Sequence, residues 1–251
     1  MTSLRTDSHR ATHPLKLKLV DPPEHEVFRV GRRHQPVFDP IPWEYSGTGR
    51  YDDPRMFDQE TEPTFAPFRV IYTSTSLSGA FVEAMQRFRP GLDQIAAAGF
   101  VGGNDFARST GVVARSWLNR HVWAQSILPR TARFVDICAG ESLASLRSSA
   151  ELARIARMCG LQDIDLSAVT GPERPFTQAC SELIHSTPLS NGSDVTGIRY
   201  VSRFGTDMEH ECWAVFDDRT TFNAVSDVQE VSLSNTALIE AMARLRLRVE
   251  E

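Results

Sequence analysis

Apolar and polar positions first alternate in Glu26-Val27-Phe28-Arg29-Val30, a run with enough β-branched and aromatic character for a strand, closed by Gly31. Strand geometry puts Arg29 on the opposite face from Phe28 and Val30. A second strand is predicted over Phe68–Thr73. Ser74-Thr75-Ser76 then supplies caps for a helix that runs to about Phe88 and is stopped by Pro90-Gly91. On that helix Leu77, Phe81, Ala84, Met85 and Phe88 recur at helical spacing and mark the side expected to be buried. Ser76, Gly79 and Glu83 fall together on another side, so the carboxylate is expected beside two small residues that leave room for a ligand. The start of the helix also offers unpaired backbone N–H groups to an anion such as a pyrophosphate.

Elsewhere the pattern is less regular. Residues 35–67 are dense in Pro, Asp and aromatics and read as an ordered loop region, while residues 92–128 read as packing or lid elements with a helix around Val112 to Ile127. A short strand over Arg133–Cys138 precedes a helix from Ser142 to Met158, ended by Gly160, and another helix near Thr177 to His185. Gly197–Arg203 reads as a strand with Ser202 on the face of Ile198 and Tyr200, and Glu211–Asp217 as its hairpin partner. A last helix is expected from Asn235 to Val249. It would cover the protein's own core with Leu238, Ile239, Met242 and Leu245 and carry Arg244, Arg246 and Arg248 near its C-terminus.

Residues 1–20 show no sustained period and read as a flexible leader, leaving 21–251 as one domain. Strands separated by helical segments of uneven length predict an α+β class: a single mixed-sheet domain with helical insertions. The totals agree, since 251 residues with 41% apolar content suffice for one sizeable core. With 27 Lys and Arg against 32 Asp and Glu, a net charge of −5 and no basic run, nucleic acid is excluded as the expected partner. No run has the roughly 18 apolar residues of a membrane span. Residues 1–14 lack the apolar centre of a signal peptide, so a cytoplasmic location is expected. Cys138, Cys159, Cys180 and Cys212 form no C-x-x-C, and His25, His34, His121, His185 and His210 show no ligand spacing, so no metal site is expected.

Candidate chemistry emerges when the blocks are read in order: Phe28-Arg29-Val30, Gly49-Arg50-Tyr51, Val70-Ile71-Tyr72-Thr73-Ser74 with Glu83 on the following helix, then Gly197 to Arg203 with Glu211 to Asp217. Together they resemble the RES (Arg-Glu-Ser) domain family over roughly residues 26–218, and Asp165–Pro172 with Thr177-Gln178-Ala179 resembles a further segment of many members. The resemblance implies a fold similar to ADP-ribosyltransferase toxins and cleavage of the nicotinamide bond of NAD⁺, which would be substrate and not cofactor. It also implies the toxin of a toxin–antitoxin pair whose site is blocked by a small helical antitoxin of the Xre/MbcA type, and it allows a homodimer. By position Arg29, Glu83 and Ser202 match the catalytic residues that name the family, and Arg50, Tyr51 and Tyr72 match neighbours around NAD⁺. Three positions depart from the common pattern: Tyr51 where Trp is more frequent, Asp52 in place of Asn, and Val201 before Ser202 where many members have Pro.

Losing nicotinamide builds oxocarbenium character on a ribose, so a carboxylate such as Glu83 can stabilise the charge and hold ribose hydroxyls. Planar guanidinium groups at Arg29 and Arg50 suit a diphosphate, and Tyr51 and Tyr72 offer aromatic faces to a cationic ring. Ser202 has no neighbour in sequence that would activate it and is assigned hydrogen bonding to ribose or phosphate. Water or phosphate would capture the ADP-ribosyl group. An ADP-ribosyltransferase acting on a macromolecule and a non-catalytic interaction module are the alternatives.

Overall fold

The apolar runs predicted as strands meet in one eight-stranded mixed sheet. It is seen in a computed structural model that describes residues 15–57, 68–92, 95, 111–189, 192–204, 210–223 and 225–250. Its strands are β1 (Leu19–Val20), β2 (Val27–Arg32), β3 (Val70–Ser74), β5 (His121–Ser126), β6 (Phe134–Asp136), β7 (Gly197–Val201), β8 (Glu211–Phe216) and β9 (Gln229–Glu230). They lie in the order β1-β6-β7-β8-β3-β2-β5-β9, every pairing antiparallel except β6 with β7. Two further strands, β4 (Val112–Val113) and β10 (Arg248–Val249), form a small parallel sheet. The described helices are α1 (Leu77–Met85), α2 (Arg115–Arg120), α3 (Gly140–Arg147), α4 (Ala150–Met158), α5 (Leu166–Thr170), α6 (Arg174–His185) and α7 (Thr236–Leu245). None of the described helices is long and apolar enough to cross a membrane.

Strand alternation sorts the core into layers. Val70, Ala214 and Phe216 point to one face with Ile198 and Tyr200, where Leu146, Leu152, Phe176, Cys180 and Ile184 of the helices α3 to α6 cover them. Ile71, Trp213 and Val215 point to the other face and pack with Val27, Val122, Ala124 and Phe134 under the loop residues Val37 and Phe38. A third cluster joins Phe81, Val82 and Met85 of α1 to Leu238, Ala241 and Leu245 of α7, so α1 is clamped at the site end of the sheet.

Close packing of β7 on β8 explains a glycine. A Cβ at Gly197 would lie 2.2 Å from the Ala214 carbonyl oxygen and 2.9 Å from the Phe134 ring, neither of which is free to yield. Gly197→Ala is therefore expected to cost about 1–3 kcal/mol by overpacking. A urea titration would show a lower midpoint at unchanged slope, and a wild-type midpoint would contradict the packing.

Several expectations are corrected. The helix expected at Val112 to Ile127 is only α2, six residues long, followed by β5, whose alternate residues Val122, Ala124 and Ser126 are buried. A two-residue period paired with all of β2 outweighs the apolar content that suggested a helix. The helix expected from Ser142 to Met158 breaks, because Ser149 leaves the helical conformation to cap α4 through the Leu152 N–H. The C-terminal helix stops at Leu245: Arg246 turns left-handed at φ 54° and the chain leaves as β10, so Arg248 is a strand residue. Its buried stripe uses Leu238, Ala241 and Leu245, while Ile239 is 52% exposed. The chain also enters the sheet before the boundary expected at residue 20, with Leu19 opposite Val135. Residues 1–14 of the expected leader, and residues 93–94 and 96–110 of the stretch expected to supply packing or lid elements, lie outside the described residues.

Candidate active site

Glu83 sits in the last turn of α1, and the start of that helix is built to fix it. Ser76 caps the helix by accepting the Gly79 N–H at 3.0 Å, and its Oγ lies 2.7 Å from His210 Nδ1. A Cβ at Gly79 would fall 2.3 Å from Ser74 Oγ and 2.9 Å from Ser76 Oγ, so the space beside this glycine is filled by protein. That corrects the expectation of ligand room there. Ala80 and Ala84 provide the open side instead, and none of Ser76, Leu77, Ser78 and Gly79, where the anion was expected, is among the residues lining the cavity.

The Glu83 carboxylate is held at both oxygens. Ser202 Oγ donates to Oε1 at 2.7 Å, and Gln86 Nε2 approaches Oε2 at 3.2 Å. Ser202 stands one residue beyond the end of β7, not inside a strand reaching Arg203, and is 4% exposed. Its Oγ also accepts the Phe204 N–H at 3.3 Å, which leaves its proton directed to the carboxylate.

Opposite Glu83, the loop before η2 (the 3₁₀ turn Pro54–Phe57) is fastened from within. Asp52 accepts the Gly47 and Gly49 N–H groups at 2.9 and 2.7 Å and the Tyr72 hydroxyl at 2.8 Å, while that hydroxyl accepts the Tyr51 N–H at 2.8 Å. From α6, Gln178 Nε2 donates to the carbonyls of Gly47 and Gly49 at 2.8 and 2.9 Å, and Ser181 Oγ donates to the Tyr51 carbonyl at 2.7 Å. Gly49 must be glycine, because a Cβ would lie 2.5 Å from both Asp52 Oδ1 and the Tyr72 hydroxyl. Burial pushes the Tyr51, Tyr72 and Tyr200 hydroxyls well above the ordinary phenol range, with Asp52 adding to the effect at Tyr72. They stay protonated and keep these bonds at any physiological pH.

This fastening presents Arg50, which is 6% exposed, with its guanidinium 5.6 Å from the centre of the Tyr200 ring. Its Nη1 is buried without a hydrogen-bond partner, an arrangement that a bound anion would satisfy. Arg29 donates from Nη1 to the Asp39 carbonyl at 2.8 Å. Burial presses its pKa down to about 10, partly offset by Asp39, so at neutral pH it remains a desolvated cation. The two face a cavity of about 470 Å³ that Arg87, Arg174 and Arg203 also line. Among the described residues its acids are Glu83 and Asp52, and Asp52 is occupied by its own loop and by Tyr72. One oriented carboxylate in a basin of guanidinium groups suits an anionic ligand on which positive charge develops at a single point.

The sequence model of the RES domain matches residues 26–235, a span that contains every residue of this site. The chain belongs to the RES domain family. The RES chain is also similar in structure to a chain in the crystal structure of the M. tuberculosis MbcT–MbcA toxin–antitoxin complex, at 12% identity and a TM-score of 0.43, with 89% of this chain and 91% of that chain covered. No curated protein matches it in sequence.

Of the residues singled out in this RES chain, Arg29, Arg50, Tyr72 and Glu83 line the cavity, and Ser202 reaches it through Glu83. Tyr51 does not: it is fully buried, donates its hydroxyl to the Val169 carbonyl at 2.9 Å and meets Tyr200 edge-on, so it supports the loop and offers no face to a ligand. Sequence reasoning missed Tyr200, Arg87, Arg174 and Arg203 in the lining and Asp52 and Gln178 in the scaffold. For Tyr200 the alternation with Ser202 was a usable signal. Gln178 lay in a segment noted only for its family likeness, and nothing local marks its bonds to a loop about 130 residues earlier. Among the described residues no group of three or more His, Cys, Asp or Glu is arranged to hold a metal ion.

Proposed function

We propose that this RES protein cleaves the bond between nicotinamide and ribose in NAD⁺, with water or phosphate capturing the ADP-ribosyl group, and that it serves as a toxin restrained by a small antitoxin protein. The observation that carries the reading is the Glu83 carboxylate, fixed by Ser202 and Gln86 on the wall of a cavity otherwise dominated by arginine. The diphosphate would take Arg50, whose Nη1 has no hydrogen-bond partner, and the desolvated Arg29. Tyr72, which lines the cavity, would face the nicotinamide cation, an interaction of roughly 0.5–2 kcal/mol. As the C–N bond lengthens, nicotinamide departs with the bonding electron pair as a neutral molecule and the ribose takes the positive charge. Glu83 then stabilises that charge and accepts a ribose hydroxyl proton in a hydrogen bond. Ser202 acts through Glu83, keeping its carboxylate in one orientation.

Incubating purified protein with NAD⁺, with and without inorganic phosphate, and separating the products by chromatography tests this directly. Nicotinamide with ADP-ribose is the expected result for hydrolysis, and nicotinamide with a phosphate-dependent ADP-ribose phosphate for phosphorolysis. Intact NAD⁺ in both tubes would overturn the reading in favour of a transferase that needs its acceptor, or of a binding module.

A further inference from the structure

A second cavity, of about 590 Å³, opens on the other side of Arg29 between β2, the end of α1 and the α2–β5 turn. Arg29, Thr48, Ala84 and Arg87 border both cavities, so the two lie side by side along these residues. The far part is lined by Arg32, Arg120 and His121, and among the described residues Asp39 is the one acid in its lining. Arg120 donates to Ser116, and the Arg32 guanidinium rests 5.3 Å above the Tyr45 ring. Among the described residues neither of them, nor Arg87, forms an ion pair. The His121 ring stacks on Trp117 at 4.1 Å and uses Nδ1 on the Trp117 carbonyl at 2.7 Å, which leaves Nε2 as the nitrogen available to a ligand. Burial, then Arg32 and Arg120, lower the pKa of Arg87, so Arg87 is repelled by both of these guanidinium groups across this space.

Like charges held together at a cavity wall destabilise the empty protein and are relieved by an anion. The diphosphate placed in the first cavity already has Arg29, Arg50, Arg174 and Arg203 to meet its two charges. Arg32, Arg87 and Arg120 are therefore surplus for NAD⁺, which has no third anionic group. They match a phosphate monoester, which carries about −1.5 to −2 charge at neutral pH and three acceptor oxygens. We infer that the second cavity receives the 2′-phosphate on the adenosine ribose of a phosphorylated dinucleotide, so that NADP⁺ is bound in preference to NAD⁺. This rests on the reading that the first cavity holds the dinucleotide's diphosphate, but not on its being cleaved.

Calorimetric titration of the full-length protein with adenosine 2′,5′-bisphosphate and, separately, with 5′-AMP tests the inference without any turnover. The bisphosphate is expected to bind about tenfold more tightly or better, the worth of one charge-assisted contact. In the double variant Arg32→Gln/Arg120→Gln, whose exposed side chains make no hydrogen bond, ion pair or ring contact among the described residues beyond those to Ser116 and Tyr45, that preference should fall to within about threefold. Equal affinities in the wild type, or an undiminished preference in the variant, would overturn the inference. So would inorganic phosphate that binds as tightly as the bisphosphate and displaces it, which would assign the cavity to the free anion. A protein that prefers the bisphosphate yet leaves both dinucleotides intact would sustain this inference while sinking the cleavage reading.

Discussion

Replacing Glu83 with glutamine is expected to lower NAD⁺ turnover by about 10²–10³-fold, some 3–4 kcal/mol of transition-state stabilisation. The amide is nearly isosteric, and its oxygen can still accept from Ser202 Oγ, now 2.7 Å from Oε1. What disappears is the negative charge that Glu83 presents to the cavity. The thermal midpoint should stay within a few degrees of wild type, and the Michaelis constant should move far less than the turnover number, because the proposed diphosphate contacts are those of Arg29 and Arg50, which line the same cavity. Steady-state kinetics with a melting curve on the same preparation decide the matter: wild-type turnover in a folded Glu83→Gln protein would remove Glu83 from the chemistry.

Arg50→Met is expected to separate stability from binding. Leaving Nη1 buried without a partner costs the folded protein about 1–3 kcal/mol. Methionine removes that cost and forfeits the contact with the Tyr200 ring, worth roughly 0.5–1 kcal/mol. The variant should therefore melt no lower than wild type. NAD⁺ affinity, measured calorimetrically in a Glu83→Gln background so that ligand survives, should fall by about 10²-fold or more. Unchanged affinity would take the diphosphate away from Arg50, and a collapse in melting temperature would make Arg50 a structural residue.

Arg29 and Glu83 were legible before the structure, and the reason is local. Arg29 and Glu83 occupy a strand and a helix whose periods are clean, so their faces follow from spacing alone, and the β7–β8 hairpin follows from two apolar runs near each other in sequence. β5 was not read, because six alternating residues directly follow a short helix containing Trp117 and Leu118, and the combined stretch has the apolar content of one longer helix. The side chain of Tyr51 was misplaced for a different reason. Its loop carries no period, and its burial is decided by Val169, Ser181 and Tyr200, all more than a hundred residues away in the chain. The widening of the site into a second cavity was invisible on the same grounds, since Arg32, Arg87 and Arg120 converge only once β2, α1 and β5 are assembled.

The pairing order of the sheet has a consequence for how the protein comes into being. Glu83 is oriented by a residue 119 positions later, and the Gly47–Tyr51 loop is fastened by α6 about 130 positions later. β3, which launches α1, has β8 as its inner neighbour, with Val70 opposite Phe216. At about 5–20 residues per second, synthesis on the ribosome leaves the early motifs waiting many seconds for these partners. A truncated or still-emerging chain thus holds Arg29, Arg50 and Glu83 without the parts that set them against one another. Competence arrives late and nearly at once, when β8 closes the centre of the sheet.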